Sequence, residues 1–280
     1  MKKEIVKHIK LLCLAITLLC SNLSYGANII FDLGGVLIGA NKTYMIRQVG
    51  FYNFFMFLLR LNNPFSLKNR LYFALDQIPA ISQNTYGAKD GNNGTDVPNI
   101  MCDWLTGVQS SEAILQQIYT LFEKNPDIFY NTAEKNLITK IIDMMFVPET
   151  FSKSTSIIKD GLEFVKTCKE QSHNIFVLSN WDKESFVYVL KRFPELFSLF
   201  EKEQIVISGQ IGMIKPDPQI YQYVLKTYSL KPEECIFYDD QKVNVQAAEN
   251  LGIHGVICDN MNYKKMVQEL DAFVEKIRKK

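Results

Sequence analysis

Five short apolar runs, each bounded by polar or turn-forming residues, punctuate a chain otherwise patterned at helical spacing. They are Asn28-Ile-Ile-Phe-Asp-Leu33, Asn174-Ile-Phe-Val-Leu178, Gln204-Ile-Val-Ile207, Cys235-Ile-Phe-Tyr238 and Gly255-Val-Ile257. Their β-branched and aromatic content predicts strands buried on both faces. Amphipathic helices separate the later runs. Ile220, Tyr221, Val224 and Tyr228 share one helical face, behind Asp217 as N-cap and Pro218 at the first helical position. Val243, Ala247, Ala248 and Leu251 form a second stripe that Gly252 ends; Met266, Leu270, Phe273, Val274 and Ile277 form a third. Strand and helix in alternation predict an α/β fold with a doubly wound parallel sheet.

Between residues 44 and 156 the alternation stops and the apolar spacing is helical almost throughout. This stretch reads as an α-helical cap inserted into a core made of residues 28–43 and 157–280. A length of 280 residues suits a core with a large insertion. The first cap helix is expected over Tyr44–Leu61; Arg47 and Arg60 frame its Phe, Met and Leu residues, so it reads as cap core rather than as a membrane-seeking surface. Ser82–Asn99, rich in Gly and Asn, reads as a mobile loop.

The N-terminus changes the picture of where the protein works. Lys2, Lys3, Lys7 and Lys10 precede the apolar run Leu11–Cys20, and small and polar residues then lead to Ala27. That layout reads as a signal peptide over residues 1–27, cleaved near Gly26 or Ala27, and implies an exported protein, periplasmic or secreted, with no stable membrane span once the signal is removed. An uncleaved anchor is the alternative. Taking four lysines and Glu4 from 31 basic and 30 acidic residues leaves 27 and 29, a formal charge of −2, which gives no pull toward nucleic acid. Cys102, Cys168, Cys235 and Cys258 remain, too irregularly spaced for a zinc site or a disulfide framework.

Open parallel sheets bind ligands beyond the carboxyl ends of their strands. Three of the predicted strands end there in chemistry: Asp32-Leu-Gly-Gly, Ser179-Asn180 and Asp239-Asp240, with Lys215 just before a helix. Together they offer a nucleophilic carboxylate, a hydroxyl, an amide, a cation and an acidic pair. A phosphomonoester repels a carboxylate nucleophile unless its charge is neutralised. Asp239 and Asp240 could hold magnesium bridging Asp32 and the phosphate, while Ser179, Asn180 and Lys215 would bind its equatorial oxygens. His173 and His254 fall where strands begin, at the opposite edge, and are not expected to act.

These segments resemble four motifs of the haloacid dehalogenase superfamily, in the right order: Phe31-Asp-Leu-Gly-Gly-Val-Leu37, Leu178-Ser-Asn180, Gly212-Met-Ile-Lys-Pro-Asp217 and Phe237-Tyr-Asp-Asp-Gln-Lys-Val-Asn244. The resemblance implies a Rossmann-like core with a subfamily I cap placed after the first motif. It implies Asp32 as nucleophile, Ser179 as phosphate ligand, Gly35 in the substrate-binding loop and Lys215 as charge-balancing lysine. Magnesium would rest on Asp32, Asp239, Asp240 and the main-chain oxygen of Gly34, with Asn244 supporting the acidic loop. The substrate would be a small phosphorylated metabolite. One position departs from the pattern: phosphatases of the family usually carry a second aspartate where this chain has Gly34. A dehalogenase, or a phosphate-binding protein without catalysis, are the alternative readings. The acidic pair favours the phosphatase over the dehalogenase, and activity that survives a chelator would favour the dehalogenase.

Overall fold

The computed structural model describes residues 26–50, 66–90, 94–258 and 262–279. Five parallel strands form the central sheet: β1 (Asn28–Phe31), β6 (Asn174–Ser179), β7 (Ile205–Ile207), β8 (Cys235–Asp239) and β9 (His254–Ile257), in the order β7-β6-β1-β8-β9. All five expected runs are present, and the parallel, doubly wound reading holds. The first strand stops at Phe31, two residues early, because Leu33 O receives the amides of Leu37 and Ile38 and turns the chain.

Alternation along each strand feeds two cores, because successive side chains leave a strand on opposite faces. Ile29, Phe31, Val177, Ile236 and Tyr238 pack on one side with Phe164 and Phe273; Ile30, Phe176, Leu178 and Phe237 pack on the other with Ile220, Tyr221 and Val224. Full burial of each such side chain contributes about 1.5–3 kcal/mol. The helices Lys159–Glu170 and Tyr263–Arg278 cover the first face, and Pro218–Thr227 and Lys242–Glu249 the second. Asp217 caps as expected, accepting from Gln219 N at 2.9 Å, and Gly252 takes the left-handed φ of +86°.

The chain leaves this core through β2 (Ile38–Ala40) and returns through β5 (Thr155–Ile157), which pair antiparallel as a two-stranded ribbon. Between them lie the helices Lys42–Val49, Ser66–Asp76, Asn99–Leu105, Ser111–Lys124, Thr132–Phe146 and Pro148–Lys153. They carry a separate core that includes Trp104, Ile114, Ile118, Phe122, Ile142 and Phe146. The helix expected over Tyr44–Leu61 runs from Lys42 to Val49, started by the Asn41 side chain; the rest of the expected span, from residue 51 on, lies outside the described residues. The described parts of the stretch expected as a mobile loop, residues 82–90 and 94–99, are held by hydrogen bonds instead. Asn84 Nδ2 donates to Ala88 O and Val97 O, the buried Asp103 carboxylate accepts from Ile81 N and Ser82 N at 2.7 Å each, and β3 (Lys89–Asp90) pairs with β4 (Thr95–Asp96).

Among the described residues, Cys102, Cys168, Cys235 and Cys258 are buried free thiols. The expected signal lies outside the described residues up to residue 25. Among the described residues, no helix is long and apolar enough to cross a membrane.

Candidate active site

Sheet register places the chemistry. Phe31 sits level with Val177 of β6 and with Tyr238 of β8, so the next residue of each strand brings Asp32 beside Leu178 and Asp239. Asp32 N donates to Tyr238 O at 2.9 Å, which fixes the nucleophile candidate to its neighbour strand. Asp32 Oδ1 then receives Leu33 N at 2.7 Å, Ser179 Oγ at 2.7 Å and the Lys215 ammonium at 3.0 Å. Among the described residues, Oδ2 receives no hydrogen bond. One oxygen is held and the other is free.

Lys215 is only 1% exposed. Its Nζ also reaches Asp239 Oδ2 at 2.6 Å and Leu178 O at 3.0 Å, so its three N–H bonds all have acceptors. Burial works to lower its pKa, but the charges of Asp239 and Asp32 outweigh it and hold the ammonium above its ordinary value. Asp239 is fully buried, and both its oxygens accept from Asn244 Nδ2 at 3.1 Å while Oδ1 takes Gln241 N at 2.7 Å. Desolvation pushes Asp239 up despite Lys215. Asp240, pushed up to about 7 by desolvation and then by the charges of Asp32 and Asp239, leans over Gly35. A Cβ at Gly35 would lie 2.5 Å from Asp240 Oδ2, and φ there is +71°, so this turn requires glycine.

Oxygens of Asp32, Asp239 and Asp240 all lie within 4.8 Å of one another. Three carboxylates against one ammonium leave uncompensated negative charge, and hard oxygen donors suit magnesium. Asn244 Oδ1, buried beside them, has no hydrogen-bond partner. Such an orphan costs about 1–3 kcal/mol, and a hydrated cation would satisfy it. The donor set fits the ion.

The site opens into a cavity of about 260 Å³, walled by Trp104, Leu105 and Phe151 from the helical insert and by Trp181 from the core. The insert is seated on the core at this rim. Ser208 Oγ donates to Leu105 O at 2.6 Å, and Ser111 N donates to Glu184 Oε2 at 2.8 Å.

The family model for haloacid dehalogenase-like hydrolases matches residues 27–252. The chain belongs to that family. Over 113 residues this haloacid dehalogenase-like hydrolase is 33% identical to bifunctional epoxide hydrolase 2 of Rattus norvegicus, covering 38% of this chain and 20% of that protein. Over 117 residues it is 27% identical to a phosphorylated carbohydrates phosphatase of Thermotoga maritima, covering 41% of this chain and 51% of that one. The matches thus span about a fifth and about half of these relatives' own length. A solved haloacid dehalogenase family enzyme from Bacteroides thetaiotaomicron shares the fold with a TM-score of 0.51 at 18% identity, covering 82% of this chain and 92% of that one.

For this family member the structure brings Asp32, Gly34, Gly35, Ser179, Asn180, Lys215, Asp240 and Asn244 to one cavity, with Asp239 behind them. Two of the expected phosphate-binding residues also make contacts within the scaffold. The Asn180 side chain closes on the Lys215 main chain in both directions, at 2.9 and 2.8 Å, and so positions the lysine loop. Gly35 N donates to Ile38 O at 2.9 Å and holds the turn. Lys215 lines the cavity and stands between the carboxylates of Asp32 and Asp239. His173 and His254 lie at the far edge, where His173 Nδ1 accepts from Ala27 N and His254 stacks on Phe273. Sequence reasoning missed Trp104, Phe151 and Trp181. Only Trp181 carried a signal, adjacency to a motif; the others reach the site through tertiary packing.

Proposed function

We propose that this hydrolase cleaves a small phosphomonoester with magnesium, by way of a phosphoaspartyl intermediate on Asp32. The observation that carries the reading is the asymmetric Asp32 carboxylate, gripped at Oδ1 by three donors and, among the described residues, met by none at Oδ2. The grip fixes the attack direction, and fixed geometry is what makes a nucleophile effective. Magnesium, held by Asp32, Asp239, Asp240 and the Gly34 carbonyl, would offset the phosphate charge.

Lys215 sets its positive charge between the two buried carboxylates of Asp32 and Asp239, which lessens their repulsion of the ester. Oδ2 forms a bond to phosphorus as the bond from phosphorus to the leaving oxygen breaks. Water then attacks phosphorus, the Oδ2–P bond breaks, a proton passes to solvent, and the carboxylate is restored with release of phosphate. The Thermotoga relative is a phosphatase by name, and the Bacteroides enzyme has been solved with magnesium and inorganic phosphate, in a mutant form. Displacement of halide needs no cation, so the acidic cluster and the orphaned Asn244 Oδ1 favour the phosphatase.

Asp32→Asn keeps the volume and removes the attacking charge, so turnover should fall below about 1% of wild type with the fold intact by circular dichroism. Residual turnover near the wild-type level, or full activity after chelation, would remove the assignment.

A further inference from the structure

The floor of the cavity is acidic, and its walls are not. Trp104 Nε1 donates to Ser111 Oγ at 3.0 Å and Trp181 Nε1 to Ser185 Oγ at 2.9 Å, so neither indole has an N–H left for a ligand. Phe151 lies between them, its ring centroid 5.7 Å from Trp104 and 5.4 Å from Trp181. With Leu105 these rings offer only apolar and π surface. The polar residues that flank Trp181, Asn180 and Asp182, are committed. Asp182 Oδ1 accepts from Glu184 N at 3.0 Å and Ser185 N at 2.8 Å, its Oδ2 accepts from Ser185 Oγ, and the Asn180 amide is closed on Lys215. A sugar or polyol lying against this aromatic wall would strand hydroxyl groups at about 1–3 kcal/mol each.

A second observation is independent of the first. Among the lining residues, the ionisable side chains are Asp32, Asp240, Lys215 and Asp182. The first two belong to the acidic cluster, Lys215 is wedged between carboxylates, and Asp182 caps its helix with both oxygens accepting. Gly34 has no side chain, and among the described residues the insert contributes no ionisable group to the lining. Among the described residues, no lining group outside the acidic cluster stands ready to protonate a departing oxygen, so that oxygen must leave as an anion. Proton donation is worth about 10²–10⁴-fold to an alkoxide and little to a leaving group that is stable as an anion.

We infer that the cavity takes the monophosphate ester of a phenol, its ring lying against Trp104, Phe151 and Trp181 while its phosphorus meets Asp32. This rests on the phosphomonoester reading above and names its substrate class. The bond from Asp32 Oδ2 to phosphorus forms as the bond from phosphorus to the aryl oxygen breaks; the aryloxide leaves with the electron pair and takes its proton from solvent.

The test uses magnesium-loaded protein and separates leaving group from ring. Phenyl phosphate should exceed cyclohexyl phosphate, of similar size and polarity, by about 10²-fold or more in kcat/KM. Ring recognition is read without turnover, as quenching of tryptophan fluorescence by phenylphosphonate and cyclohexylphosphonate. The phenyl compound should bind about 3–10-fold tighter, and Phe151→Leu should remove most of that difference. Equal kcat/KM for the two esters, or equal binding of the two phosphonates, would overturn the inference, while hydrolysis that is lost in Asp32→Asn would leave the phosphomonoester reading standing. Hydrolysis of neither ester would overturn both.

Discussion

Gly34 is the residue where composition and chemistry pull apart. A Cβ built there meets nothing closer than Asp32 Oδ2 at 4.0 Å, and its φ lies outside the left-handed range. Gly34→Asp should therefore fold, and its carboxyl would stand near the free oxygen of the nucleophile, where it can pass a proton to a leaving group. Alkyl phosphates should then be hydrolysed faster by about 10-fold or more, with a smaller gain for aryl phosphates; a leaving-group series in kcat/KM compares the two proteins. A flat series for the wild type would show that another group already supplies the proton. Asp240 gives a pH signature. Its carboxyl is held up at about 7, against an ordinary 3.8, by burial and by its two acidic neighbours. Between those values the folded state keeps a proton that the unfolded state has lost, so metal-free protein loses stability as pH rises from about 4 to about 7. Magnesium needs the ionised form. Its gain in Tm should grow across that window, as thermal unfolding with and without the ion would show, and a gain independent of pH would place the ion elsewhere. Lys215→Met leaves Asp32 and Asp239 buried without a counter-charge, which should cost about 3–5 kcal/mol in denaturant unfolding as well as turnover.

At the level of elements, the sheet was legible because parallel strands buried on both faces read as continuous apolar runs, and the helices because their stripes carry caps such as Asp217. The seat of the insert on the core was not legible, since it depends on close backbone approach between distant segments. Gly209 shows why. A Cβ there would stand 2.5 Å from Lys183 N and 2.8 Å from Trp181 O, and Gly107 approaches Gly209 O just as closely from the insert, at 2.7 Å for an added Cβ. These neighbours are backbone and cannot swing away. Gly209→Ala should cost about 1–3 kcal/mol, seen as a lower Tm, and should raise KM because Leu105 and Trp104 are seated through this contact. An unchanged Tm and KM would mean that the rim has slack.

At the scale of the whole molecule, export remains a proposal, and the structure sharpens its test. Ala27 is fully buried and its N–H donates to His173 Nδ1 at 3.1 Å, so a mature chain that begins at Ala27 keeps this contact and one that begins at Asn28 loses a buried methyl. N-terminal sequencing of protein from its native host should find Ala27; an intact Met1 would count against cleavage. The sequence by itself determined the strands, their capped helices, the helical insert and the acidic and basic residues at the strand ends, because each is written in a local period or in a residue type next to a turn. Register, burial and long-range packing decided the rest. Only the folded chain shows that, among the described residues, donors hold one oxygen of Asp32 and not the other, that the Asn180 side chain and the Gly35 N–H are tied into the scaffold, and that Trp104 and Phe151, 77 and 30 residues from Trp181, wall the same cavity. A hydrogen-bond partner or a cavity wall has no period along the chain; it exists only once distant residues are brought together.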